Sequence, residues 1–154
     1  MLMFSTVRYF IKTSIIFLLL GIVTGLYLLI ARYYFGIWHH PDLISAHTHI
    51  ILVGFVMMMI MGVALWFFPR PEKDDKLYNP ALILTTYYII TVSTIIRFIS
   101  EVVSSCLTPT EILKFILTIS AIGQVVGIVL FFISMWGRIR SVGSHIREAK
   151  GEKF

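Results

Sequence analysis

The sequence predicts an all-α integral membrane protein: one four-helix bundle over residues 1–154, with both termini and a short basic tail in the cytoplasm. Three observations predict it. Hydrophobic residues make up 58% of the 154 and charged residues 14%, a balance too apolar for a soluble domain of this size. The apolar residues fall into four runs, at about 10–35, 44–68, 80–103 and 110–137, each long enough for the roughly 20 residues that cross a hydrocarbon core. Basic residues gather at alternate connections: Arg8 and Lys12 before the first run, Arg70, Lys73 and Lys76 between the second and third, and Arg138, Arg140, Arg147, Lys150 and Lys153 after the fourth. The other two connections hold only Arg32, so the positive-inside rule sets the orientation, and a prokaryotic inner membrane is the expected location.

The first run follows Arg8 and Lys12 as a signal peptide would. Its apolar core is too long for the hydrophobic region of a leader and no small-residue cleavage site follows, so it is read as a membrane helix. Gly21 and Gly25 form a GxxxG pair that permits close approach of another helix. The connection Gly36-Ile37-Trp38-His39-His40-Pro41-Asp42 then offers an interfacial aromatic, two adjacent histidines and a carboxylate. A surface copper or zinc site using His39, His40 and Asp42 is one reading. Solvated histidines beside an anchoring Trp38 are the other. Asp42 or Ser45 is suited to cap the second helix, with Pro41 just before it.

The second run, HTHIILVGFVMMMIMGVALWFFPR from His47 to Arg70, carries the chemistry. An imidazole within a membrane helix needs a partner, either a polar group or a metal. At 100° per residue His47, Ile51, Gly54, Met58, Met61, Gly62 and Leu65 share one face, and His49 points to the other side. The two histidines therefore do not grip one metal. Gly54 lies about 10 Å along the axis from His47, at about 1.5 Å per residue, and its missing side chain leaves room for a flat group such as a porphyrin bound by His47. The alternative is that Gly54 and Gly62 serve helix packing while His47 bonds a neighbouring carbonyl.

With His47-Thr48 at one end and Trp66-Phe67-Phe68-Pro69-Arg70 at the other, this stretch resembles helix II of subunit I of the heme–copper oxidases, in the branch of the C-family oxidases and nitric-oxide reductases. The run before it resembles helix I, so the likeness covers about the first half of the chain. The resemblance implies heme b, with His47 in the position of a low-spin heme ligand and Gly54, Met58 and Gly62 along the cofactor face. It also implies exchange of electrons with a redox partner protein or a quinone. The chain departs from the family in having no histidine between His49 and His145. An oxygen-reducing copper site is therefore not expected. The second axial ligand has to come from His39 or His40 folding in from the loop, from a methionine such as Met58, the poorest choice because it lies on the same helix, from another protein, or from His47 of a second copy.

The third helix carries Arg97 and Glu101 at i, i+4, on one face. Arg97 lies about 9 Å below the outer end of its run at about 1.5 Å per residue, where it suits either a heme propionate or its own Glu101. The fourth run holds a second GxxxG, Gly123 to Gly127, with Gln124 near mid-depth, a position from which a buried glutamine bridges helices. With one cysteine, Cys106, there is no internal disulfide and no all-thiolate metal or iron–sulfur site. Gly-rich phosphate loops, paired catalytic carboxylates and nucleic-acid motifs are absent, and the net charge of +5 belongs to the membrane surface.

Three functions are compatible with these features. One is a small heme b protein that carries electrons or binds a diatomic gas without reducing oxygen itself. The second is a cofactor-free oxidase-like accessory or assembly subunit, and the third a metal-binding or transport protein using His39, His40, His47 and His49. A low-spin heme needs two axial bonds and His47 supplies one, so a homo-oligomer is expected, a dimer with heme near the contact.

Overall fold

A computed structural model describes residues 2–68, 79–139 and 150–151. The charged connection after Pro69, most of the basic tail and His145 lie outside the described residues. Four helices account for nearly all of the rest: α1 (Leu2–Phe35), α2 (Pro41–Phe67), α3 (Pro80–Cys106) and α4 (Glu111–Met135), with a 3-10 turn Trp136–Arg138 closing the last. There is no strand among the described residues. All four helices are long and apolar enough to cross a membrane, and large apolar side chains such as Leu19, Val23, Phe115 and Val125 stand exposed along them, as lipid-facing positions do.

The helix ends are set by local chemistry. α1 begins at Leu2, ahead of the expected residue 10, because backbone hydrogen bonding runs on through Arg8 and Lys12 beyond the apolar stretch that marks the membrane core. At α2 the cap is His40 and not Asp42 or Ser45. Pro41 occupies the first helical position, where its fixed φ and missing N–H fit, and the Nδ1 of His40 accepts the Asp42 amide at 3.3 Å. Asn79 caps α3 by accepting the Ala81 amide at 2.9 Å, and Thr110 caps α4 by accepting from Leu113 at 3.3 Å.

Within α2 the backbone widens into a π-helix over Ile50–Met57. A uniform α-helix places His47 and Ile51 on the buried line, but in the wider turns the buried positions are Ala46, Ile50, Gly54 and Met58, every fourth residue. The line rejoins the expected one at Met61, Gly62 and Leu65. The altered phase leaves His47 half-buried instead of central.

Both GxxxG pairs are spent inside the bundle. A Cβ on Gly25 would stand 2.7 Å from the His47 ring, and Gly21 lies under Ile51, so this pair lets α1 close on α2. Gly123 and Gly127 lie under Ser93 and Ile90 of α3 and do the same for α4. The shared core is Phe10, Met58, Met61, Leu65, Ile83, Ile90, Phe131 and Met135. At that end Arg138, 1% exposed, donates to the carbonyls of Leu65 at 3.2 Å and Phe68 at 3.0 Å. It caps the end of α2 with a cation, which satisfies orphan carbonyls and the helix dipole together.

Candidate functional site

Polar side chains concentrate at the opposite end, where the α1–α2 and α3–α4 connections lie together, as the bond from Ser104 to Asp42 requires. His49 faces α3. Its Nδ1 lies 2.9 Å from Oε1 of Glu101 and 3.2 Å from Oε2. The ionised carboxylate only accepts, so Nδ1 carries the hydrogen. Ser45, one turn earlier, donates to Oε1 at 3.1 Å. Arg97 donates through Nε to the same oxygen at 3.1 Å and through Nη1 to Oε1 of Gln124 at 2.9 Å. Gln124 then donates to Thr94 at 3.1 Å. Glu101 is 5% exposed, and three donors with one guanidinium offset what its burial in an apolar phase costs. The result is one connected network across α2, α3 and α4.

His47 faces the other way, toward α1. Its Nδ1 lies 3.0 Å from the carbonyl oxygen of Gly21. A carbonyl only accepts, so here too Nδ1 holds the hydrogen, and the lone pair of the neutral ring is on Nε2. That nitrogen makes no hydrogen bond among the described residues. An imidazole whose Nδ1–H is held by a backbone carbonyl carries its lone pair on Nε2, the tautomer in which histidine ligates a metal; here the ring lies against Gly25 of α1.

The other expected cofactor residues are placed differently. Gly54 lies against the Phe17 ring, where a Cβ would meet Cδ2 at 2.8 Å, and Gly62 lies against Ile11 and Phe10 at 2.9 and 3.0 Å. Met58 is fully buried in the core. This line, expected to leave a groove for a flat ring, is filled by α1, whose apolar side chains gain contact by closing on it. Arg97 joins His49, Glu101 and Gln124 and not His47. His40 is used as the cap of α2 through its Nδ1, while the His39 ring lies tilted against Tyr27, centroids 4.9 Å apart. Among the described residues no three His, Cys, Asp or Glu side chains gather to hold a metal ion.

Ser45 and Arg138 went unnoticed as site and cap residues. Ser45 sits four residues before His49 on the same face, a spacing that signals the contact once His49 is known to face a carboxylate. Arg138 offered no such signal, because a basic residue after a membrane helix reads first as a topology marker.

Fold and site together define a four-helix membrane bundle with a histidine–carboxylate–guanidinium network centred on buried Glu101 on one side of α2 and the His47 imidazole on the other. No protein-family model, no curated protein and no solved structure matches the chain.

Proposed function

We propose that the chain is a membrane-bound heme b protein in which His47 binds the iron through Nε2. The observation that carries this reading is the 3.0 Å contact between Nδ1 of His47 and the Gly21 carbonyl, which leaves the ring's lone pair on Nε2. The resemblance of the His47–Arg70 stretch to helix II of the oxidases supports it. Bound heme would supply reversible one-electron chemistry or a site for a diatomic gas. The protein's part is to present an oriented imidazole and to exclude water with the surrounding aliphatic side chains. Electrons would pass to a partner protein or a quinone.

His47 of a second copy would supply the second bond to the iron, in a homodimer whose contact uses faces other than the two GxxxG pairs. Both termini lie in the cytoplasm of a prokaryotic cell, by the placement of the basic residues. Mass measurement in a mild detergent with heme quantification tests the arrangement. One heme per two chains supports the shared site, whereas one per chain requires a ligand from within the protomer, His39 or His40.

A second reading, a cofactor-free subunit that packs against other membrane helices, is favoured by one observation. Phe17 and Phe10 close over Gly54 and Gly62, so the bundle is well packed without a cofactor on that face. Purified protein that stays colourless after incubation with hemin selects this second reading.

A further inference from the structure

Arg97, Lys114 and Arg32 all lie toward the end of the bundle that holds the α1–α2 and α3–α4 connections, and they are neutralised differently. Arg97 has Glu101 at 3.1 Å and Lys114 has Glu111 at 2.7 Å. Arg32, in the last turn of α1, makes no hydrogen bond or ion pair among the described residues. Its guanidinium lies 4.3 Å from the Trp38 ring centroid and 5.8 Å from that of Tyr33. Cation–π attraction engages the flat face of the cation and leaves its N–H edge for an acceptor. Trp38, Tyr33 and Tyr34 are all exposed, an aromatic band of the kind that sits at headgroup level. Beside them is a hollow of about 280 Å³ with aliphatic wall from Leu28, Leu29 and Ile44 and no acidic side chain in its lining.

We propose that Arg32 and Trp38 seat the headgroup of one anionic phospholipid. The phosphate oxygens accept from the guanidinium edge, whose planar fork matches them, and an acyl chain runs along Leu28, Leu29 and Ile44. Each half of such an amphiphile meets what it needs, because the aliphatic wall stays out of water and the unpaired cation gains an anion. The charge of the seat selects the headgroup. A zwitterionic lipid brings an ammonium group that the same guanidinium repels and that no carboxylate of the lining receives. An anionic lipid brings no such group. Binding here uses neither heme nor His47, so it stands apart from the heme reading.

Lipid-selective quenching tests it. Trp66 and Trp136, both exposed, are replaced by phenylalanine in the full chain, which leaves Trp38 as the reporter. The protein is reconstituted in phosphatidylcholine vesicles with rising fractions of brominated phosphatidylglycerol, and with brominated phosphatidylcholine for reference. The site at Trp38 should prefer the anionic lipid about fivefold, the effect of one basic residue at a membrane surface. Arg32→Gln should abolish the preference. Tyr33→Glu, at an exposed position, supplies the missing carboxylate beside Arg32 and should abolish it too. Lys114→Gln changes the net charge by the same amount as Arg32→Gln but removes a cation that is already paired, so it should leave the preference intact. Equal affinity for the two lipids in the Trp38-only chain overturns the proposal. So does a preference that survives Arg32→Gln or Tyr33→Glu, or one that Lys114→Gln abolishes as fully as Arg32→Gln does.

Discussion

Replacing Glu101 with alanine removes the hub of the polar network, and the consequences can be added up from its partners. Arg97 loses its 3.1 Å partner and keeps only Gln124 at 2.9 Å. Stranding one member of a fully buried ion pair costs about 3–5 kcal/mol. The Arg97 side chain is 22% exposed, so its share is nearer about 2 kcal/mol. Ser45 and His49 each lose one hydrogen bond, and such bonds between membrane helices average about 0.6 kcal/mol. The expected loss is therefore about 3 kcal/mol. Adding Arg97→Leu to Glu101→Leu removes both charges and strands neither, so the double variant should lose only about 1 kcal/mol, about 2 kcal/mol less than Glu101→Ala alone. Reversible unfolding in mixed micelles of increasing dodecyl sulfate, followed by tryptophan fluorescence, measures both values. A Glu101→Ala protein within about 0.5 kcal/mol of wild type, by the same principle of buried pairs, refutes the reasoning, as does a double variant less stable than Glu101→Ala.

Other positions give separate readouts. The Cβ of Gly25→Ala would stand 2.7 Å from the His47 ring, pushing it aside and weakening its bond to Gly21, so heme retention should fall by at least about half; Gly127→Ala, which crowds Ile90 instead, should lower stability and leave heme content per folded chain unchanged. Arg138→Met leaves the Leu65 and Phe68 carbonyls without their donor and should cost about 1–3 kcal/mol in the same unfolding assay. Arg97→Leu strands the Glu101 carboxylate on the side of α2 away from His47 and should lower stability in the same unfolding assay while leaving heme content per folded chain unchanged; a lower content or midpoint potential would place Arg97 beside the cofactor.

The four spans were legible because each is a predominantly apolar run longer than a bilayer needs, and Pro41 marks the start of the second. Opposite facing of His47 and His49 followed from helical phase alone, and so did the Arg97–Glu101 pair. The partners were not legible. Whether Gly54 opens onto a ring or onto Phe17 depends on how closely α1 approaches, and that is a tertiary property. Nor does the run IILVGFVM announce a π-helix, since its residues are equally at home in an α-helix, yet the wider turns decide that Ile50 rather than Ile51 is buried. Arg138 shows the same limit from the other side. A charge that counts toward topology in the sequence is, in the fold, a buried cap on a helix 70 residues earlier in the chain.

The most direct test of the central claim is the reduced-minus-oxidised optical spectrum of the purified protein beside its His47→Ala and His49→Ala variants. A low-spin heme bound at His47 predicts a Soret band and a sharp reduced α-band in wild type, their loss in His47→Ala, and their persistence in His49→Ala. A wild-type protein that stays colourless with hemin, or a heme kept by His47→Ala and lost by His49→Ala, contradicts it.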